Sequence, residues 1–133
     1  MRDWLFVEDH ARALVRLLES AKPGSNYVVG GNSERSNIDV VHGICDLLDQ
    51  KLGRSSAPSR RQLVTHVHDR PGHDLRYAID SSRLQSELGW STEVSFNEGL
   101  ERTVDWYIAN EAWWQPLIDG SVYSGERLGS KAK

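Results

Sequence analysis

The chain has 133 residues, about one domain's length and enough to bury a core; at 38% hydrophobic and 26% charged its composition is not that of a disordered polymer. The net charge of −3 argues against a general nucleic-acid binder, which needs a basic face, yet residues 54–76 hold Arg54, Arg60, Arg61, Arg70 and Arg76 against Asp69 and Asp74, a local +3 that leaves −6 elsewhere. The lone Cys45 excludes an intrachain disulfide, and neither a signal-peptide pattern nor 18 consecutive apolar residues occurs, so the expected address is the cytoplasm.

The opening RDWLFV reads as a short aromatic and apolar strand that begins at the second residue. In EDHARALVRLLES, the residues Ala11, Leu14, Val15 and Leu18 recur at i, i+3, i+4, i+7, which predicts an amphipathic helix stopped by Lys22-Pro23-Gly24. NYVVGG predicts a buried strand ending in a glycine turn. Ser36 and Asp39 have capping-box-like spacing and open a helix, IDVVHGICDLLDQ, with Ile38, Val41, Cys45 and Leu48 on one stripe. GRSSAPSRR is a loop, and LVTHVH (63–68) a strand running into a Pro71-Gly72 turn.

Asp80 can cap a short helix, SSRLQSEL, that ends on Gly89. Ser95 and Glu98 form a second capping box before a helix through Leu100, Val104 and Tyr107. EAWWQPLI predicts a last short helix broken at Pro116, and residues 121–133 read as an unstructured tail. Trp4, Trp90, Trp106, Trp113 and Trp114 are assigned to packing. The expected architecture is mixed α and β, with short strands and several helices.

The densest polar cluster is HVHDRPGHD, residues 66–74. His66 and His68 would share one side of a strand, and His73 with Asp69 or Asp74 could complete a zinc set, although the turn must fold His73 back and no cysteine helps. Alternatively, Arg70, His73 and Arg76 around the turn suit a phosphate, because the guanidinium fork matches its geometry and a histidine can donate even when neutral. A solvated loop is the third reading. No tyrosine has a lysine four residues on, no glycine-rich phosphate loop follows a strand, and no nucleophile elbow is present. Glu8 and Asp9 lie at a helix start, where acids complement the dipole.

RDWLFVEDHARAL together with NYVVGG resembles a segment that extended short-chain dehydrogenase/reductases carry after their catalytic core. DRPGHDLRYAIDSSRLQSELGW is sharper and resembles the signature of the dTDP-glucose 4,6-dehydratase family, and SGERLGS is similar to tails of some members. The likeness runs from Arg2 to about Ile118. It implies the C-terminal, sugar-nucleotide-binding region of an NAD(P)-binding Rossmann-type enzyme, here residues 1–120, without the N-terminal Rossmann domain.

In such enzymes NAD oxidises the sugar at C4, water leaves across C5 and C6, and the hydride returns to C6. The product is dTDP-4-dehydro-6-deoxy-glucose, on the route to rhamnose and other deoxysugars, and the complete enzyme is expected to be a homodimer. The tyrosine-lysine pair, the acid/base carboxylates and the glycine-rich turn of the family precede the region present here. The resemblance therefore implies substrate binding by the chain and no catalytic or NAD-binding residue. Arg2 corresponds to an arginine that contacts the nucleotide's phosphates, Asn37 to an asparagine near the nucleotide, and Arg70 and His73 to the arginine and histidine of the nucleotide pocket. Tyr77 lies inside the motif, and Leu75 departs from it where many members have a second basic residue. The chain is expected to be a truncated product or fragment, with Met1 replacing an internal residue, that is inactive alone and exposes apolar surface. A noncatalytic nucleotide-sugar module and a histidine metal module stay as alternatives.

Overall fold

The computed structural model describes residues 1–53, 57–69 and 71–119. In chain order it contains β1 (Arg2–Asp3), α1 (Val7–Ser20), β2 (Glu34–Arg35), α2 (Asn37–Leu52), a 3-10 turn (Arg60–Leu63), α3 (Ser82–Leu88), α4 (Phe96–Ala109) and α5 (Glu111–Asp119). The sheet is one antiparallel pair, with Arg2 opposite Arg35 and Asp3 opposite Glu34. Architecture is therefore mixed, as expected, with helices carrying most of the order.

The caps follow the local chemistry. Ser36 Oγ accepts from Asp39 N at 3.2 Å and Ser95 Oγ from Glu98 N at 3.3 Å, each satisfying an orphan donor of a first turn. Asp80 Oδ1 accepts from Ser82 N at 2.9 Å, and that backbone bond holds its carboxyl below the usual range. Gly89 closes α3 in the left-handed conformation, φ 65°, which an L side chain resists. Helix α5 runs through Pro116 rather than breaking there. Pro116 is its sixth residue, so only the bond to Ala112 is lost and the short helix tolerates it.

Three predicted strands are shorter or absent. RDWLFV pairs only at Arg2–Asp3, because Phe6 already serves as the N-cap of α1. Residues 26–31 join no ladder among the described residues, although Tyr27 and Val29 turn inward while Val28 is exposed, a strand-like alternation with no partner strand. LVTHVH starts in the 3-10 turn and continues without pairing, its histidines exposed. The predicted tail lies outside the described residues.

The core gathers where α1 meets α3: Ala13, Leu84, Leu88 and Trp90, flanked by Leu5, Leu17, Tyr27 and Val29. This inverts the expected orientation of α1. Leu14, Val15 and Leu18 are 50%, 54% and 88% exposed, while Asp9, Ala13 and Leu17 face inward. The inner face is narrow, and small Ala13 lets α3 approach. Nor are all tryptophans inside: Trp90 is buried, whereas Trp106 and Trp113 stand largely exposed in an edge-to-face pair 5.4 Å apart.

One buried carboxylate joins distant parts. Asp9 is fully buried, and its two oxygens accept from Glu93 N and Val94 N, each at 3.1 Å, while Arg12 adds a charged donor. Replacing Asp9 by Ala leaves two amide donors and a guanidinium without their acceptor. Urea unfolding of Asp9→Ala should show a loss of about 2–4 kcal/mol; a midpoint like the parent's would show the bonds to be dispensable. The apolar face of α1 leads to a second expectation. The isolated chain should self-associate, and Leu14→Glu with Leu18→Glu should shift it toward monomer in sedimentation velocity; a parent chain already monomeric would contradict this.

Candidate functional site

The residues with phosphate-binding chemistry sit on β1, β2 and the segment after Pro71-Gly72. Short as it is, the ladder is held firmly. Asp3 Oδ2 accepts from Gly31 N at 2.7 Å and Asp3 Oδ1 from Ser33 N at 2.6 Å, clamping the loop that leads into β2. A Cβ on Gly31 would lie 2.2 Å from the Trp4 carbonyl oxygen, and one on Gly30 2.4 Å from Ile79. Two glycines are thus needed for close packing at this point. That packing also leaves no open backbone cradle, and no helix starts there, so Gly30-Gly31 do not fit a dinucleotide's pyrophosphate.

Arg2 and His73, 71 residues apart, meet: a guanidinium nitrogen lies 2.6 Å from His73 Nε2 and donates to the Asp74 carbonyl at 3.0 Å. Arg2 also lies over the Tyr77 ring at 4.3 Å, and the Tyr77 hydroxyl donates to Asp74 at 2.6 Å. Because Nε2 accepts from Arg2, the neutral ring carries its proton on Nδ1, which faces Asp69 Oδ1 at 2.8 Å. His73 is therefore oriented from both sides, and Tyr77 is part of the constellation as well as of the packing. Asn37 is exposed at the first turn of α2, two residues beyond the Arg35 that pairs with Arg2; no hydrogen bond ties it to Arg2 or His73. The predicted Arg70 lies outside the described residues.

The basic stretch does not act as one island. Arg60 bonds Asp49 at 2.7 Å and Arg61 chelates Asp46, both fastening the 3-10 turn to α2. Arg76 makes a two-bond fork with Glu34 at 3.0 and 2.7 Å, which holds that carboxyl below its usual range. These three arginines serve the fold. Arg35, missed in the sequence because it lies outside the stretch, emerges opposite Arg2 only through the ladder register.

The metal reading finds little geometry. His66 and His68 are exposed on no strand, both nitrogens of His73 face protein groups, and among the described residues no three metal-ligating side chains converge. A cleft of about 860 Å³ is walled mainly by apolar groups including Trp4, Phe6, Val40, Phe96 and Trp106, and neither Arg2, Asn37 nor His73 lines it. No described helix is long and apolar enough to cross a membrane.

Comparison with known proteins identifies the family. A probable dTDP-glucose 4,6-dehydratase of Sinorhizobium fredii is 54% identical over 129 residues, which cover 97% of this chain and 36% of that protein. The dTDP-glucose 4,6-dehydratase of Bacillus anthracis, solved in complex with NAD, superposes with a TM-score of 0.74 at 38% identity over 86% of this chain and 33% of that one. DesIV of Streptomyces venezuelae, a dTDP-glucose 4,6-dehydratase solved with NAD and TYD bound, gives a TM-score of 0.72 at 37% identity, with the same coverage of 86% and 33%. The chain thus spans about a third of the length of the relatives it matches. A profile of GDP-mannose 4,6 dehydratase matches residues 1–103, and the chain belongs to that family.

Proposed function

We propose that residues 1–120 are the sugar-nucleotide-binding portion of a dTDP-glucose 4,6-dehydratase, the complete enzyme converting dTDP-glucose to dTDP-4-dehydro-6-deoxy-glucose and water. The observation that carries this reading is the contact of Arg2 with His73 across 71 residues of sequence, in a chain similar to such dehydratases. A guanidinium backed by an aromatic ring offers directed donors to phosphate oxygens, and His73, its ring nitrogens facing Arg2 and Asp69, holds that guanidinium in position. Arg70 and Asn37 join them as the other nucleotide contacts.

NAD supplies the redox step of such a reaction, and in this reading the N-terminal portion of the complete enzyme binds it. Residues of this chain bind and orient the nucleotide. The outward apolar face of α1 packs against that N-terminal portion, and the complete enzyme is a homodimer acting in the cytoplasm.

The isolated chain should bind thymidine diphosphate, measured by calorimetry or tryptophan fluorescence. Arg2→Ala, His73→Ala and Arg70→Ala should each weaken binding by about tenfold or more, the loss expected for a charged or directed hydrogen bond. With dTDP-glucose and NAD added, the 4-keto product should not form. Absence of thymidine diphosphate binding would refute the assignment of the pocket, and turnover by the chain alone would refute its division of labour. A zinc titration with an affinity dependent on His66 and His68 would instead favour a metal module.

A further inference from the structure

Charge accounting singles out one residue that neither the sequence nor the relatives brought forward. Of the nine arginines in the described residues, Arg12, Arg60, Arg61, Arg76, Arg83 and Arg102 each pair with a carboxylate. Arg2, Arg16 and Arg35 do not. Arg16 gives its Nε to the Leu88 carbonyl at 2.9 Å and fastens α1 to the end of α3. The other two, Arg2 and Arg35, occupy opposed positions of the β1–β2 ladder.

That placement opposes the usual rule. Residues directly opposite on an antiparallel pair project to the same face, and like charges there repel. Among the described residues no acid forms a salt bridge with either guanidinium, and the nearby carboxylates hold other donors. Asp3 holds Gly31 N and Ser33 N, and Glu34 holds Arg76. Asp74 accepts from Tyr77, and Asp39 accepts from the Ser36 hydroxyl at 2.5 Å.

Arg35 is exposed, with one guanidinium nitrogen on the Glu34 carbonyl at 2.8 Å and its charge over the Phe96 ring at 5.3 Å. The ring on one side and the carbonyl on the other hold the guanidinium while the rest of its donors stay open to solvent. Arg2 is braced in the same manner by Tyr77 and by backbone carbonyls. Two braced guanidiniums outside any salt bridge, on opposed residues of a ladder, are complementary to an anion with two charged centres.

We propose that Arg35 is a specificity-determining residue of the nucleotide site, with Arg2 and Arg35 dividing the two phosphates of a nucleoside diphosphate. The inference rests on the proposed function and deepens it, since Arg35 then distinguishes a diphosphate from a monophosphate. Arg2 serves both ligands, whereas Arg35 acts only where a second phosphate is present.

The test titrates the chain with thymidine diphosphate and thymidine monophosphate. Arg35→Gln, which keeps most of the side-chain stem, should weaken diphosphate binding by about tenfold, the value of one charged bond. It should leave monophosphate binding within about threefold of the parent, a change below half the logarithmic value of that bond. Arg2→Ala should weaken both. Circular dichroism and the urea midpoint of Arg35→Gln should match the parent, so that a change in binding is not a change in folding. Should Arg35→Gln bind the diphosphate like the parent while Arg2→Ala loses it, the inference falls and the proposed function stands. Equal weakening toward both nucleotides would also overturn it. If the parent binds neither nucleotide, both fall together.

Discussion

The fold depends on carboxylates that accept backbone amides across long stretches of sequence. Asp9, fully buried on α1, takes the amides of Glu93 and Val94 and so fixes the connection that leads to α4. A buried anion is tolerable only when its lone pairs are filled, and here two amides and Arg12 fill them. Asp3 repeats the device at smaller scale with Gly31 and Ser33. In a molecule whose described sheet has two residues per strand, such bonds replace the cross-linking that a larger ladder would provide.

The second bond network sets the site. By clamping residues 31–33, Asp3 determines the register of β2 and thereby which side chain meets Arg2. Arg2 is braced in turn by Tyr77 and the Asp74 carbonyl, and it touches His73. The constellation thus rests on backbone geometry and on side chains that brace one another.

Electrostatics divides the arginines into two kinds. Those meeting carboxylates tie elements together, as Arg60 and Arg61 do between the 3-10 turn and α2. Exposed pairs contribute little stability individually, so their value lies in fixing where loops run. Of the three described arginines without a carboxylate, Arg2 and Arg35 lie opposite one another on the ladder. Sequence proximity misleads on this point: the five clustered arginines include three structural ones, whereas Arg35, outside the cluster, lies opposite Arg2.

Local chemistry in the sequence was enough for helices α1 to α4, though not for the run of α5 through Pro116. Ser36, Asp80, Gly89 and Ser95 act through atoms within a few residues, so their roles are legible without a fold. The DRPGHD motif likewise pointed to the family. Pairing and orientation were not legible, because they depend on which surfaces meet. The hydrophobic period of α1 required a buried stripe, but only contact with α3 decided that Ala13 and Leu17 face inward while Leu14, Val15 and Leu18 face out. NYVVGG has the alternation of a strand, yet a ladder needs a partner, and the described residues supply none. The opposition of Arg2 and Arg35 likewise exists only through register, a relation between distant backbones that no local pattern encodes.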